Sequence, residues 1–362
     1  MKYHGTTAVI DLNILRNNFD IIKKMAPHSK VLAMVKRNAY GHGAIKVAKT
    51  LESKADAFGV ACLAEAINLF DAGIKKPIML LKGFLDEEEL LIVDKCKFET
   101  VIHNEEQLNL IEKTKLTNPL HVWLKIDSGM HRLGFQRSLA EKAYQRLIGN
   151  KQVVKPFKLM THMSDADCPE RPKTANQLAE FFRITTNFQG EKSIANSATI
   201  ITHKDAHADW IRPGITMYGC SPFADKTVLE YGLEPVMTLE SSLITIQNLA
   251  PGETVGYGST WTAPEQMLAG IVNTGYGDGY PRISVTPPEV MINNKTAKLI
   301  GRVAMDMMNI DLRTVPNAKV GDRVILWGKD FPIENVAPHL GTVSYELFCQ
   351  LTARIVYKYI NE

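Results

Sequence analysis

The sequence predicts an α/β fold of repeated strand–helix units followed by a mostly β region. Short apolar, β-rich runs alternate with amphipathic helical stretches through the first two-thirds of the chain. Past about Pro235 the pattern turns to short strands separated by Gly, Pro and Asn. The length, 362 residues, suits two domains or one large barrel with an appendage.

Taken in order, Thr6–Leu12 is strand-like, Val31–Lys36 reads as a strand and Gly43–Leu51 as a helix. Phe58–Cys62 is a strand and leads into a helix over Leu63–Asp71. Ile78–Leu81, Glu99–Ile102, His121–Ile126 and Phe157–Thr161 continue the strand series, with helices over Asn104–Lys113, Ser138–Leu147 and Lys173–Phe188. Such alternation indicates parallel βα units. Right-handed repetition of them gives either a barrel or a doubly wound sheet, and periodicity does not choose between the two. Met237–Thr245, Gln266–Val272, Lys298–Ile300 and Arg323–Leu326 read as strands of the later region. The expected division is 11–235 and 236–362, with an N-terminal strand within 1–10 joining the second part.

Hydrophobic residues make up 45% and charged residues 22%, so a folded globular chain is expected rather than a disordered one. A formal net charge of +3, with scattered cations, argues against a nucleic-acid binder. No run approaches the roughly 20 apolar residues that span a bilayer, and the first residues lack a secretory pattern. The five cysteines show no CxxC or His-rich spacing, so neither a disulfide framework nor a metal site is expected; free thiols suit the cytoplasm.

The strongest local signal is Val35-Lys36-Arg37-Asn38-Ala39-Tyr40-Gly41-His42-Gly43. A lysine there closes a buried strand and meets a glycine-containing turn. In a βα barrel that position faces the C-terminal mouth, where active sites lie. An amine in an apolar setting has a depressed pKa and condenses with aldehydes. Read alone, a surface lysine at a strand end explains the same residue.

The stretch closely resembles the cofactor-attachment segment of alanine racemases, enzymes that use pyridoxal 5'-phosphate (PLP). Further segments match in the family's order: Lys125–Gly134, Thr161-His162-Met163, Asn196-Ser197-Ala198, Arg212–Gly219, Val255–Thr262, Gly275–Arg282 and Gly301–Asp306. The resemblance implies a (β/α)8 TIM-type barrel followed by a mostly β C-terminal domain. It also implies a homodimer that interconverts L-alanine and D-alanine, supplying D-alanine for peptidoglycan.

By the same resemblance Lys36 carries PLP as a Schiff base and serves as one acid/base. Tyr257, acting in trans from the partner's β domain, is the other. Two proton carriers on opposite faces let a flattened α-carbon lose a proton on one side and gain one on the other. Arg132 corresponds to the arginine that hydrogen-bonds the catalytic tyrosine, and Arg212 to the one at the pyridine nitrogen. His162 would bond Arg212. Tyr40, Ser197, Gly214, Ile215 and Tyr357 match the phosphate-binding positions, and the backbone N–H of Met305 the substrate-carboxylate position, with Asp306 orienting that loop. Lys125 matches a lysine that is carbamylated in some members. Arg282, Arg302 and Asp167 match residues of a narrow access corridor. Arg37 replaces a usual Ala, and Ala304 stands where Cys is common.

The nearest alternative is an amino-acid decarboxylase of the same architecture, which Arg212 argues against because those enzymes place a carboxylate at the ring nitrogen. Cys349 reads as a helix residue rather than part of a decarboxylase segment. A non-enzymatic PLP-binding barrel would lack the β region and Tyr257.

Overall fold

The computed structural model describes residues 5–362. Residues 1–4 of the anticipated N-terminal strand lie outside the described residues. The chain divides into two units, one of Phe19–Ala39 with Gly43–Met217, the other of Tyr40–His42 and Tyr218–Glu362 together with the chain up to Asn18.

The second unit begins with strand β1 (Thr7–Asp11). The first unit is a closed parallel barrel of β2 (Lys30–Met34), β3 (Ala57–Val60), β4 (Ile78–Leu80), β5 (Glu99–Ile102), β6 (Val122–Lys125), β7 (Lys158–Met160), β8 (Lys192–Ser193) and β9 (Trp210–Ile211). Closure comes from β9 pairing back onto β2, Lys30 with Trp210 and Val31 with Ile211. This decides for the barrel over the doubly wound sheet. Most of these strands are buried along their length, as expected where side chains fill the interior on one face and helices cover the other.

The N-terminal ends of the strands are closed by matched charges. Lys158 reaches both carboxylate oxygens of Glu99 (3.0 and 3.1 Å) and sits over the rings of Trp123 (4.9 Å) and Trp210 (5.5 Å). The Trp123 indole donates to Glu99 at 2.5 Å, the Trp210 indole to Glu191 at 2.6 Å, and Lys30 to Glu191 at 2.5 Å. Lys158 and Lys30 are each paired with a carboxylate, so this end carries stability rather than chemistry.

The boundaries differ from the sequence reading in informative places. β2 stops at Met34, and Lys36 lies outside the strand. The helix from Lys173 ends at Ile184 instead of Phe188, because its last turn closes on Thr185. Helices that periodicity did not single out include Leu12–Met25, Glu87–Cys96 and Ser197–Thr202.

The second unit continues with β10 (Met237–Leu249), β11 (Thr254–Val255), β12 (Trp261–Thr262), β13 (Met267–Val272), β14 (Glu289–Ile292), β15 (Lys295–Ile300), β16 (Met308–Asp311), β17 (Arg323–Trp327) and β18 (Val356–Ile360). Its main sheet runs β13-β16-β15-β14-β17-β10-β1-β18, and β10 also pairs with β13, so six of its strands return on themselves. β10 reaches that far because it is 13 residues long and bulges between Leu243 and Thr245. β1 alternates buried Ala8 and Ile10 with half-exposed neighbours, so one face is covered, and it pairs antiparallel with β10 on one edge and parallel with β18 on the other. Cys349 lies in the helix Ser344–Gln350, as read from the sequence.

Candidate active site

Six of the residues singled out in the barrel unit sit at or just past the C-terminal ends of strands. Lys36 follows β2, Lys125 ends β6, Arg132 lies in the next loop, His162 follows β7, Ser197 follows β8 and Arg212 follows β9. The topology alone brings them to one mouth.

Lys36 opens an unusual turn. Arg37, Asn38, Ala39 and Tyr40 all have left-handed backbones, with φ of 53, 54, 55 and 50°. For residues other than glycine this costs roughly 1–2 kcal/mol each. The turn closes with Ala39 N–H donating to Val35 O at 2.8 Å and Gly43 N–H to Asn38 O at 2.9 Å. Its far end is also crowded: a side chain on Gly41 would strike the Phe348 carbonyl oxygen at 2.1 Å. The His42 ring contacts the Tyr40 carbonyl at 2.8 Å through Nδ1.

Arg212 is buried and spends its guanidinium on the neighbouring strand ends. It donates to Ser193 Oγ (2.6 Å), Thr161 O (2.6 Å), Ile194 O (3.0 Å) and His162 Nδ1 (3.4 Å). A guanidinium only donates, so Nδ1 of His162 is the acceptor and its proton is on Nε2. Burial, then the charges of Arg212, Lys125, Arg132 and Lys36, push His162 well below the usual histidine range and keep it neutral. Burial lowers Arg212 to about 10, which leaves it charged at neutral pH. Gln177 holds this loop in place, donating to His162 O at 3.1 Å and accepting from Ser164 N at 3.0 Å.

Lys125 is buried at the same mouth. Burial, followed by the charges of Arg212, Arg132 and Lys36, brings it down to about 7, against a smaller upward pull from Asp127. The cations here outnumber the carboxylates, the reverse of the matched charges at the opposite end. The folded amine therefore releases its proton at lower pH than the unfolded one. Between about pH 7 and the ordinary lysine value the unfolded chain binds more protons, so this group makes stability rise with pH across that window, with its full cost present below it. We expect Lys125→Met to stabilise cofactor-free protein in CO₂-free buffer by about 2–4 kcal/mol near pH 6. The gain should shrink as pH approaches 10, which thermal melts at the two pH values would check.

Ser197 Oγ accepts from Gly214 N–H at 2.9 Å and from Thr216 Oγ1 at 3.0 Å, so hydroxyls and a backbone amide converge behind the strand ends. Ile215 is fully buried beside Gly214. Asp167 is exposed in the loop after β7, within a cluster with Asp165 and Cys168.

The other named residues belong to the second unit. Tyr257 is 64% exposed, on a turn bounded by Gly256 and Gly258 with φ of 70 and 76°. The Arg282 guanidinium lies 5.8 Å from its ring centre and 5.6 Å from that of Tyr276. A side chain on Gly258 would meet the Arg302 guanidinium at 2.9 Å. Met305 is exposed on a loop tied to the Gly275–Gly279 turn, with Gly277 N–H donating to Met305 O at 2.8 Å and Tyr276 N–H to Ala304 O at 3.0 Å. Arg354 braces the same loop through Asp306 at 2.7 Å and Asp278 at 3.5 Å. Tyr40 is buried against Tyr218, ring centres 5.1 Å apart, and burial raises its phenol. Tyr357 is half-buried beside Tyr359, and burial raises it too.

Sequence reasoning assigned no role to Gln177, Ser193 or Arg354. It also missed His103, whose pKa is lowered by burial first and by nearby Lys125 among lesser causes. Their spacing to the residues they serve carries no local signal.

The comparisons with known proteins place the chain in a family. The family described as "Alanine racemase, N-terminal domain" matches residues 10–222, and "Alanine racemase, C-terminal domain" matches 236–359. The chain belongs to the alanine racemase family. It is accordingly an isomerase of the racemase class. Among its relatives is the alanine racemase of Coxiella burnetii, 48% identical over 354 residues, 96% of this chain and 97% of that one. The Vibrio atlanticus alanine racemase is 46% identical and covers 99% of each chain. The crystal structure of the biosynthetic alanine racemase of Pseudomonas aeruginosa superposes with a TM-score of 0.94 at 40% identity over 99% of both chains. In this racemase no helix among the described residues is long and apolar enough to cross a membrane.

Proposed function

We propose that the enzyme interconverts L-alanine and D-alanine with PLP as cofactor, Lys36 and Tyr257 moving the proton on opposite faces of the α-carbon. The observation that carries this reading is the convergence of Lys36, Arg212, His162 and the Ser197–Gly214 pair at the mouth of one barrel. That donor set fits PLP. A lysine amine meets an aldehyde, hydroxyl and amide donors suit a phosphate, and an excess of cations suits both that phosphate and a substrate carboxylate. When bound, PLP supplies an electron-withdrawing ring that acidifies the α-hydrogen of an attached amino acid.

Lys36 would tether the cofactor and Arg212 would hold its ring nitrogen. A guanidinium cannot take up a proton, so it leaves that nitrogen unprotonated and the ring a weaker electron sink, which favours return of the proton to the α-carbon over side reactions. His162, kept neutral, orients Arg212. Ser197, Gly214, Ile215, Tyr40 and Tyr357 would hold the phosphate. Arg132 would hydrogen-bond the Tyr257 phenol, and the Met305 N–H would take the substrate carboxylate. We assign 11–235 to cofactor binding and 236–362 to the second proton carrier, which acts across a homodimer. Arg282, Arg302 and Asp167 would narrow access so that small amino acids are preferred.

An amine brought down to about 7 is largely neutral at physiological pH, the form that adds CO₂, so we assign Lys125 as a carbamylation site whose new negative charge offsets Arg132. The five free thiols favour a reducing compartment, and we place the enzyme in the cytoplasm, where D-alanine would feed peptidoglycan.

The test is incubation of the purified protein with L- or D-alanine in D₂O. Loss of optical activity with deuterium at the α-carbon is expected from both enantiomers. Cofactor absorbance without exchange would reduce the protein to a binder, and release of carbon dioxide would make it a decarboxylase.

A further inference from the structure

Glu65 lies on the helix Leu63–Asp71 that follows β3. Its Oε2 accepts the Ala61 N–H at 2.7 Å, one residue before the N-cap Cys62, a bond back across its own helix start. Its Oε1 does something else. It crosses to the neighbouring strand–helix unit and accepts the Arg37 N–H at 2.7 Å, the amide next to Lys36. Left-handed backbone outside glycine persists only where surrounding contacts over-determine it. Arg37 is exposed and contributes only backbone to this bond.

We propose that Glu65 is a positioning residue for Lys36, its carboxylate locking the left-handed turn that aims the lysine into the barrel mouth. Farther along the turn Asn38 Oδ1 accepts from Ala44 N–H at 2.9 Å and so fixes the exit. At the Lys36 end, Glu65 provides a bond of the stronger, charge-assisted kind. Without it the backbone at Arg37 can relax to negative φ and swing the attached lysine. This inference rests on the assignment of Lys36 as cofactor lysine and proton carrier.

The experiment is a double-mutant cycle on the holoenzyme. Glu65→Ala should lower kcat about 10- to 100-fold, the cost of a misplacement on the order of an ångström. KM should stay within about twofold, and the pH midpoint of the bound cofactor's absorption band should move. Glycine adopts φ near 53° without penalty. Arg37→Gly should therefore recover kcat about threefold or more in the Glu65→Ala background, a gain not seen when Glu65 is present.

A plain helix cap would behave differently. Glu65→Ala would then lower only Tm, and Arg37→Gly would act equally in both backgrounds; either result overturns the proposal. If Glu65→Ala does not fold, Glu65→Gln, which offers one carbonyl oxygen for two amides, takes its place. Lys36→Ala is measured alongside. Retention of the cofactor band there would refute the Lys36 assignment itself. The clamp would still be judged by the φ of Arg37 in a crystal structure of the Glu65 variant: a negative value supports it, and an unchanged left-handed turn overturns it.

Discussion

Lys36→Ala is expected to remove the cofactor's lysine-bound absorption and to reduce racemisation by at least about 10⁴-fold, while leaving the fold and its melting temperature close to those of the parent. The loss is large because two functions sit on one amine. In the proposed function it tethers the cofactor and carries the proton on one face of the α-carbon. General acid–base catalysis by a positioned side chain is alone worth about 10²–10⁴. The fold should survive because Lys36 is only half-buried and its removal takes one cation from an over-charged mouth, where Lys125 and His162 both register its repulsion. Absorption spectroscopy, polarimetry and a thermal melt on one preparation check all three statements. A variant that keeps the absorption band and the activity would refute the assignment.

The barrel strands were legible where their positions are apolar on both faces, as in Ala57–Val60 and Ile78–Leu80. β8 and β9 were not, because two residues, Lys192–Ser193 and Trp210–Ile211, are too few to show a period. The helix Leu12–Met25 was hidden by the strand signal running into it, although Leu12, Leu15, Phe19 and Ile22 are spaced for one helical face and are all buried. Site positions were legible as lysine, histidine and arginine at strand ends within segments resembling a known family. The left-handed backbone of the turn after Lys36 was not, because Arg37, Asn38, Ala39 and Tyr40 include no glycine to announce a positive φ. Their conformation depends on bonds to residues far along the chain, such as Glu65. The charge imbalance around Lys125 was likewise invisible as a magnitude, because it arises only when four cations from β2, β6 and β9 and their loops meet.

Tyr257→Phe should reduce racemisation by about 10²–10⁴-fold, with an asymmetry that kcat/KM cannot display. The enantiomers have equal free energy, so kcat/KM stays equal in the two directions whatever the mutation does. The asymmetry lies in exchange. In D₂O the enantiomer whose proton Lys36 removes should still gain deuterium without inverting, since the lysine can return a proton on its own face. The other enantiomer, whose proton only the phenol reaches, should exchange hardly at all. Equal, mild losses of exchange for both enantiomers would contradict a two-carrier scheme. The phenol's 64% exposure and its glycine-bounded turn fit a group that completes a site on another copy of the chain. Mixed dimers test this directly. Pairing a Lys36→Ala protomer with a Tyr257→Phe protomer rebuilds one intact site if the tyrosine acts across the dimer, and none if it acts within its own chain. Random mixing makes half the dimers mixed, each with one good site in two, so co-expression should restore about a quarter of the parent activity. Two inactive variants that stay inactive together would place the tyrosine in the site of its own chain.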